Sequence, residues 1–300
     1  MTTRITTAVV PVAGLGTRLL PITRAIPKEL LPLARKPILQ YVAEELLGFG
    51  IKKIVLVTSE AKRSIDGLFR PDRPTPRPIL DDDREARRQC LWSQQSHDVE
   101  IEVVVQPRQL GLGHAIFCAE PAVGLEPFAV SLADSVIVSQ GPSCLLRQME
   151  SVFFERAAHI VMAFEEVEPR LVSHFGIADP KSDADVFELD DIVEKPEIGQ
   201  APSNLAVAAR YVFTNDIFEH LRQTGLGTRG EIQLTDAIRR SIQVGRRVLG
   251  VKLTDSQRRY DIGSIPSYVQ AFVHFALQDS ELREAVLAAL ASHRADHQHE

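Results

Sequence analysis

The feature that most constrains this chain is a glycine-containing loop that follows an apolar run near the N-terminus. Residues 8–12, AVVPV, predict a buried strand, and AGLGTR at residues 13–18 interrupts it. Glycine has no Cβ and can adopt positive φ, so Gly14 and Gly16 allow the backbone to approach a ligand closely. Free N–H groups in such a loop form a concave site for phosphate oxygens. Three cations nearby favour a polyphosphate ligand: Arg18, Arg24 and Lys28.

Two common phosphate-binding motifs do not fit this loop. The dinucleotide-binding fingerprint requires a third glycine at position 19 and an acid about 20 residues further on. Position 19 is Leu19, and residues 33–39 contain no acid. The Walker A motif fails as well, because no Gly-Lys-Ser/Thr triplet follows at its spacing. The loop therefore predicts phosphate binding of another kind.

The residues around the loop resemble the signature of the sugar-1-phosphate nucleotidyltransferases. The match consists of G-L-G-T-R at residues 14–18 and P-K-E-L-L-P at residues 27–32. Within that family, the wording V-A-G-L-G-T-R-x-L-P-x-T-x-A-I-P-K-E at residues 12–29 is most similar to bacterial UTP:glucose-1-phosphate uridylyltransferases. The resemblance implies an enzyme that transfers a uridylyl group from UTP to glucose 1-phosphate and releases pyrophosphate.

The alternation of segments along the chain predicts an α/β fold. Five strand, loop and helix turns fit in the first 165 residues, and such units imply a parallel sheet. Segments 175–178, 187–193 and 205–213 then predict antiparallel strands. We therefore expect a Rossmann-like mixed, mainly parallel sheet flanked by helices, which is the nucleotide-diphospho-sugar transferase fold that the resemblance implies.

The chain contains no internal repeat and no Gly/Ser-rich linker, so we expect one domain over residues 1–300. Residues of about 1–165 would form a nucleotide-binding half and about 166–280 a sugar-binding half that shares the same sheet. A C-terminal helix and tail would occupy 281–300. The Pro-rich segment 70–88 predicts a surface loop that leads into a short helix, and a regulatory or subunit contact is the alternative.

Two acids stand at loop positions, Asp134 after the predicted strand 128–133 and Asp261 before Gly263. Capping a turn is the ordinary role for such an acid, whereas Mg²⁺ prefers one or two carboxylates together with substrate phosphate oxygens. Members of the resembling family hold their metal between an L-x-D segment and a D-x-G segment. The resemblance therefore implies that Asp134 and Asp261 bind Mg²⁺.

The pair Glu194 and Lys195 follows a predicted strand. Neighbouring residues on a strand point to opposite faces, so both can reach one ligand only if the strand ends there, and Pro196 favours that end. An exposed ion pair is the alternative. The resemblance implies that Glu194 accepts hydrogen bonds from sugar hydroxyls, that Lys195 meets the sugar phosphate, and that the backbone of Gly176 meets the sugar.

The resemblance also assigns the nucleotide. Gln106 and Gly111 align with positions that read the pyrimidine, and an amide side chain offers a donor and an acceptor to a uracil or thymine edge. Arg18 and Lys28 would bind the triphosphate and, with Lys195, form the catalytic set. The glycine loop would complete the nucleotide site with Ala13, Gly14, Gly16 and Thr17.

The composition limits which classes of partner and which cellular compartment we expect for this chain. The net charge of −6 argues against a nucleic-acid partner, because phosphate-backbone binding needs surplus cations. Three dispersed cysteines without a C-x-x-C motif predict neither disulfides nor a zinc site, and they fit a reducing compartment: Cys90, Cys118 and Cys144. No apolar run predicts a signal peptide or a membrane span, so we expect a cytoplasmic protein. Members of the resembling family commonly form homodimers or homotetramers.

Two other functions remain open at this point. The first is the same chemistry with dTTP or with another sugar 1-phosphate, because Phe175, Ile262 and Ile265 depart from the uridylyltransferase pattern around the sugar and the metal. The second is a non-catalytic paralogue that regulates an active enzyme. The presence of the expected cations and acids, among them Arg18 and Asp134, argues against the second function.

Overall fold

The computed structural model describes residues 4–69, 99–139, 144–227 and 230–296. The Pro-rich segment 70–88, Cys90 and the end of the predicted tail lie outside these residues. Among the described residues, Cys118 and Cys144 do not form a disulfide with each other.

The described residues form the following strands: β1 (Thr7–Pro11), β2 (Pro32–Leu33), β3 (Lys36–Pro37), β4 (Lys53–Thr58), β5 (Glu100–Val105), β6 (Phe128–Ser131), β7 (Ser135–Ser139), β8 (Ile160–Glu166), β9 (Gly176–Pro180), β10 (Val186–Glu194), β11 (Leu205–Phe213), β12 (Val248–Lys252) and β13 (Gln257–Asp261).

The helices of the same residues are α1 (Ile38–Phe49), α2 (Asp66–Phe69), α3 (Leu112–Cys118), α4 (Glu120–Val123), α5 (Leu145–Glu155), α6 (Ile217–Gln223), α7 (Leu234–Gln243), α8 (Ile265–Gln278) and α9 (Ser280–Asp296). None of these helices is long and apolar enough to cross a membrane.

Nine of the described strands form one central sheet in the order β5-β4-β1-β6-β11-β8-β12-β10-β9. Strands β5, β4, β1 and β6 are parallel, as are β8 and β12, whereas β11 and β10 run antiparallel to their neighbours. The predicted mixed, mainly parallel sheet is therefore confirmed. Strands from before and after residue 165 interleave within it, because β11 lies between β6 and β8.

Apolar side chains cover both faces of the central sheet. Successive strand residues point to opposite faces, so Val9 and Val10 enter different core clusters. Helices α1 and α5 contribute Leu46 and Met149 to one cluster, and α3, α6 and α7 contribute to the other. Helix α1 ends at Phe49, and its C-cap residue, Gly50, has a φ of 112° that suits glycine.

A two-stranded antiparallel ribbon, β7 with β13, stands apart from the central sheet and is absent from the sequence-based prediction. The predicted strand 128–133 in fact ends at Ser131, and β7 starts only four residues later. The two strands are so close in sequence that their apolar residues form one run. Hydrophobic periodicity therefore does not show where the first strand ends and the second begins. Helix α8 packs against this ribbon through a third cluster that includes Val136, Tyr260 and Ala271.

Candidate active site

A cavity of about 520 Å³ opens at the carboxyl ends of the parallel strands. Ala13 follows β1, Gln106 follows β5 and Asp134 follows β6, and all three line the cavity. Open α/β sheets bind ligands at this edge, and the volume is typical of a small-molecule site. The predicted site residues that line the cavity are Ala13, Gly14, Gly16, Thr17, Arg18, Lys28, Gln106, Gly111, Asp134, Gly176, Glu194 and Lys195.

The two glycines of the first loop have different structural roles. Gly16 adopts a φ of 66°, and a Cβ there would lie 3.1 Å from Cγ2 of Thr23. The Thr23 hydroxyl donates to the Gly16 carbonyl over 2.8 Å and holds this turn. Gly14 has no positive φ, and a Cβ there would lie 3.9 Å from Nζ of Lys28. Gly16 therefore provides the turn, whereas a Cβ at position 14 would make an ordinary van der Waals contact with the Lys28 ammonium.

Lys28 and Asp134 form an ion pair at the floor of the cavity, with Nζ 2.6 Å from Oδ2. Burial acts to lower the pKa of Lys28, but the charges of Asp134 and Glu29 outweigh it and raise that pKa. Burial likewise acts to raise the pKa of Asp134, but Lys28 and Arg18 outweigh it and lower that pKa. Both groups are therefore held in their charged forms at neutral pH.

The β7–β13 ribbon brings the chain at Asp261 next to the chain at Asp134. Ser135 pairs with Asp261 across the ribbon, and the Ile262 N–H donates to the Asp134 carbonyl over 2.9 Å. Burial raises the pKa of Asp261, Arg259 opposes the rise, and the charge of Asp134 adds to it. Asp261 itself is not among the residues that line the cavity. Its charge interacts with that of Asp134.

Arg18 connects the glycine loop to this second acid. A Cβ on Gly263 would lie 2.9 Å from Nη2 of Arg18, so the guanidinium packs directly against the Gly263 backbone. Its charge contributes to the lowered pKa of Asp134 and, at Asp261, opposes the rise in pKa that burial causes. Because Arg18 is exposed, its planar group remains accessible to a phosphate.

The second glycine loop fixes the amide of Gln106. Its Nε2 lies 3.1 Å from the Gly111 carbonyl and 2.9 Å from Nδ1 of His114. Gly111 has a φ of 94°, and a Cβ there would lie 2.8 Å from Cβ of Glu231. Only glycine fits this position without displacing residue 231. The donor group of the amide is therefore used within the protein, which leaves the amide oxygen as its free acceptor.

Strand β10 ends at Glu194, and Lys195 then adopts a φ of 47°. This left-handed conformation is rare for a residue with a Cβ, and it turns the chain so that both residues line the cavity. Nζ of Lys195 lies 2.7 Å from Oε1 of Glu194, and the Thr235 hydroxyl donates to Oε2 over 3.2 Å. Gly176 lies opposite Glu194 in the neighbouring strand.

The carboxylates of Asp134 and Asp261 provide the donor type that Mg²⁺ requires. Both offer hard oxygen ligands, and a divalent cation would offset the repulsion from Asp134, which adds to the effect of burial on the pKa of Asp261. Within the described ranges, no group of three or more His, Cys, Asp or Glu side chains could hold a metal. Further ligands would therefore come from phosphate oxygens and water, as is usual for Mg²⁺.

Part of the cavity wall has no role in the sequence-based assignment: Gln109, Leu112 and Val207 line the cavity, and no motif assigns them to substrate. Segment 230–238 resembles the uridylyltransferase pattern, and this similarity predicts structural support and a pocket wall there. Four residues of that segment do line the cavity, as does Tyr211 of a second similar segment: Glu231, Gln233, Leu234 and Thr235.

The sequence profile of the nucleotidyl transferase family matches residues 7–278. The chain belongs to the nucleotidyl transferase family. Among curated relatives, the UTP–glucose-1-phosphate uridylyltransferase of Bacillus subtilis (strain 168) is 37% identical over 93% of this chain and 94% of its own length. A second B. subtilis protein of that activity, YngB, is 39% identical over 97% of this chain and 96% of its own length.

Solved structures of nucleotidyl transferases share this fold. A UDP-glucose pyrophosphorylase complexed with UDP-glucose has a TM-score of 0.82 and 36% identity, with 92% of this chain and 100% of that chain covered. The UTP-bound UGPase from Acinetobacter baumannii has a TM-score of 0.85 and 34% identity, with 96% and 99% covered. The predicted family, the predicted fold class and the prediction of an enzyme are therefore confirmed.

Proposed function

We propose that this nucleotidyl transferase transfers the uridylyl group of UTP to glucose 1-phosphate and forms UDP-glucose and pyrophosphate. The observation that carries the proposal is the similarity, along more than nine-tenths of the chain, to proteins named for this reaction. UTP and UDP-glucose, bound in two of the similar structures, are the nucleotide substrate and the sugar product of the same reaction.

The reaction needs no general base. The second pKa of a phosphate monoester is about 6, so the sugar phosphate is already an anion at neutral pH. One of its oxygens attacks the α-phosphorus of UTP in line, the bond from the α-phosphorus to the bridging oxygen breaks, and pyrophosphate leaves with that oxygen. The protein must therefore position two polyanions and stabilise the charge that develops between them.

The cations of the cavity suit this task. Arg18 and Lys28 would bind the triphosphate, and Lys195 would bind the sugar phosphate. Lys28 pairs with Asp134 and Lys195 pairs with Glu194 in the structure. Each lysine would exchange a carboxylate for a phosphate as the substrates bind. The glycine loop, with Ala13, Gly14, Gly16 and Thr17, would surround the phosphates with backbone N–H groups.

Base and sugar would occupy opposite ends of the cavity. The free amide oxygen of Gln106 would accept the uracil N3–H, and Gly111 would allow the base to approach the backbone. Glu194 would accept hydrogen bonds from sugar hydroxyls, and its neighbour across the sheet, Gly176, would present backbone to the sugar. The Thr235 hydroxyl would hold the Glu194 carboxylate in that position, because it already donates to Oε2.

Asp134 and Asp261 would hold Mg²⁺. The bound ion supplies positive charge to the phosphate oxygens around the reacting phosphorus. Asp134 would then have two partners, Lys28 and the metal.

A substrate panel tests the function. Pyrophosphate release is measured for UTP, dTTP and other nucleoside triphosphates, each with glucose 1-phosphate and with other sugar 1-phosphates. We expect the highest kcat/KM for UTP with glucose 1-phosphate. A higher value for dTTP or for another sugar would reassign the substrate, and no turnover despite tight UTP binding would support the non-catalytic alternative.

Two variants accompany the panel. Lys28→Ala should reduce kcat by about 10²- to 10³-fold, the effect of removing one group that stabilises transition-state charge. Lys53→Ala removes a lysine that pairs with Glu100 and Glu102 and does not line the cavity, so its activity should match that of the unaltered protein.

A further inference from the structure

A buried ion pair between Glu29 and Lys62 lies beside the glycine loop and has no part in the chemistry proposed above. Nζ of Lys62 lies 3.0 Å from Oε1 and 2.8 Å from Oε2 of Glu29. The same ammonium donates to the Val12 carbonyl over 2.9 Å. Three acceptors thus surround a group with three N–H donors. The exposed fraction is 0% for the Glu29 side chain and 9% for that of Lys62.

The pair connects two parts of the proposed phosphate site. Val12 immediately precedes the glycine loop, and Glu29 is the residue after Lys28 in the helical turn Lys28–Leu30. Lys62 comes from a separate segment, Glu60–Ile65, which follows β4. One ammonium therefore holds the start of the loop to the turn that carries Lys28.

The charges around Glu29 make Lys62 necessary. Burial raises the pKa of Glu29, and the charges that oppose the rise are those of Lys62 and then of Lys28. An unpaired carboxylate in this position would be costly, so it would take the nearest remaining cation as its partner. Without Lys62, that cation is Lys28, whose ammonium belongs in the cavity beside Asp134.

We propose that Lys62 is a positioning residue that neutralises Glu29 and so keeps the Lys28 ammonium available to the triphosphate of UTP. Lys62 does not line the cavity. It acts through Glu29, whose charge it neutralises, and through Glu29 on Lys28. The inference rests on the proposed function, because it assigns UTP as the ligand of Lys28. It adds a residue that none of the sequence motifs contains.

The test compares Lys62→Met with the double variant E29Q/K62M. UTP affinity is measured by calorimetry, and kcat and KM are measured by pyrophosphate release. Lys62→Met should weaken UTP binding by about 10- to 100-fold, by analogy with residues that orient the ligands of a metal site. The double variant lacks the competing carboxylate, so it should bind UTP within about tenfold of the unaltered protein. Lys53→Met is the matched control, because its lysine lies outside the cavity.

The comparison separates positioning from general stability. A purely structural role would leave the double variant no better than Lys62→Met in UTP affinity, and it would raise KM for the sugar phosphate as much as KM for UTP. Either result overturns the inference, as does unaltered UTP affinity in Lys62→Met. If Lys62→Met does not fold, weak UTP binding by a folded E29Q/K62M overturns it instead.

Failure of the proposed function would look different. In that case, the unaltered protein itself would not convert UTP and glucose 1-phosphate. The calorimetric comparison of variants needs no turnover, so it still decides the role of Lys62 wherever the unaltered protein binds UTP.

Discussion

The ammonium of Lys28 lies 2.6 Å from the carboxylate of Asp134 in the cavity that we assign to UTP. We expect Lys28 to bind the triphosphate and Asp134, next to it, to bind the metal. Its two members should therefore respond differently to substitution, because the carboxylate repels the nucleotide unless a divalent cation is bound.

Asp134→Asn tests this relationship. In EDTA, the variant should bind UTP more tightly than the unaltered protein, because Lys28 no longer has an anionic partner. With Mg²⁺, its kcat should fall by about 10²- to 10³-fold. Calorimetry in EDTA and pyrophosphate release in Mg²⁺ measure the two effects. Normal turnover of Asp134→Asn would exclude the proposed metal role of Asp134.

Gly111→Ala should distort the second glycine loop. The added Cβ would lie 2.8 Å from Cβ of Glu231, an overlap that costs about 1–3 kcal/mol in a packed site. Gly124→Ala is the matched control, because Gly124 also has a positive φ of 77° but has no atom within 4 Å of the added Cβ. Urea unfolding should show a larger loss for Gly111→Ala, and only this variant should raise KM for UTP. Equal losses in the two variants would show that backbone strain alone matters.

Arg210→Met should unfold more readily than any exposed-arginine variant. Arg210 is fully buried, and its Nε and Nη2 atoms donate to the two Glu45 oxygens over 2.9 and 2.6 Å. Loss of one partner of a buried ion pair costs about 3–5 kcal/mol in the free energy of unfolding. Arg239→Met removes a similar two-bond contact with Asp191 that is more than one-third exposed, and it should cost about 0–1 kcal/mol. Similar urea midpoints for Arg210→Met and Arg239→Met would contradict the conclusion that burial makes the Arg210 ion pair the more important one for stability.

Tyr41 should contribute to alkaline unfolding. Its hydroxyl donates to the Leu33 carbonyl over 2.9 Å, and burial raises the pKa of the phenol from 10.0 to about 12. A pKa that is raised in the folded state contributes stability that is complete below pH 10 and is lost as the pH rises towards 12. Tyr41→Phe should therefore lose less unfolding free energy than the unaltered protein across this window. The unfolding free energies of Tyr41→Phe and of the unaltered protein are measured by urea titration at each pH. An equal decrease in both proteins would refute the assignment of this pH dependence to Tyr41.

Local patterns predicted the parts of the site that lie at the ends of strands. A strand, a glycine loop and a helix are encoded within a few consecutive residues, so the region around Gly14 and the region around Gly111 were both identified from the sequence. The same holds for the end of β10 at Glu194, where Pro196 follows. The family resemblance then supplied roles that the residue pattern alone does not specify.

Contacts between distant segments were not predictable from these patterns. Glu29 and Lys62 are 33 residues apart, and no local sequence pattern indicates that they form a buried pair. Arg210 is a further example, because its partner Glu45 lies 165 residues away. Hydrophobic periodicity indicates which face of a helix or strand is apolar, but it does not indicate which charged residues form ion pairs with each other.

The position of β13 in the chain has a consequence for truncated products. The nine strands of the central sheet that the structure describes all precede residue 257, whereas Asp261 is the last residue of β13. A product that ends ahead of β13 would therefore contain every one of these strands while lacking the second carboxylate of the acid pair.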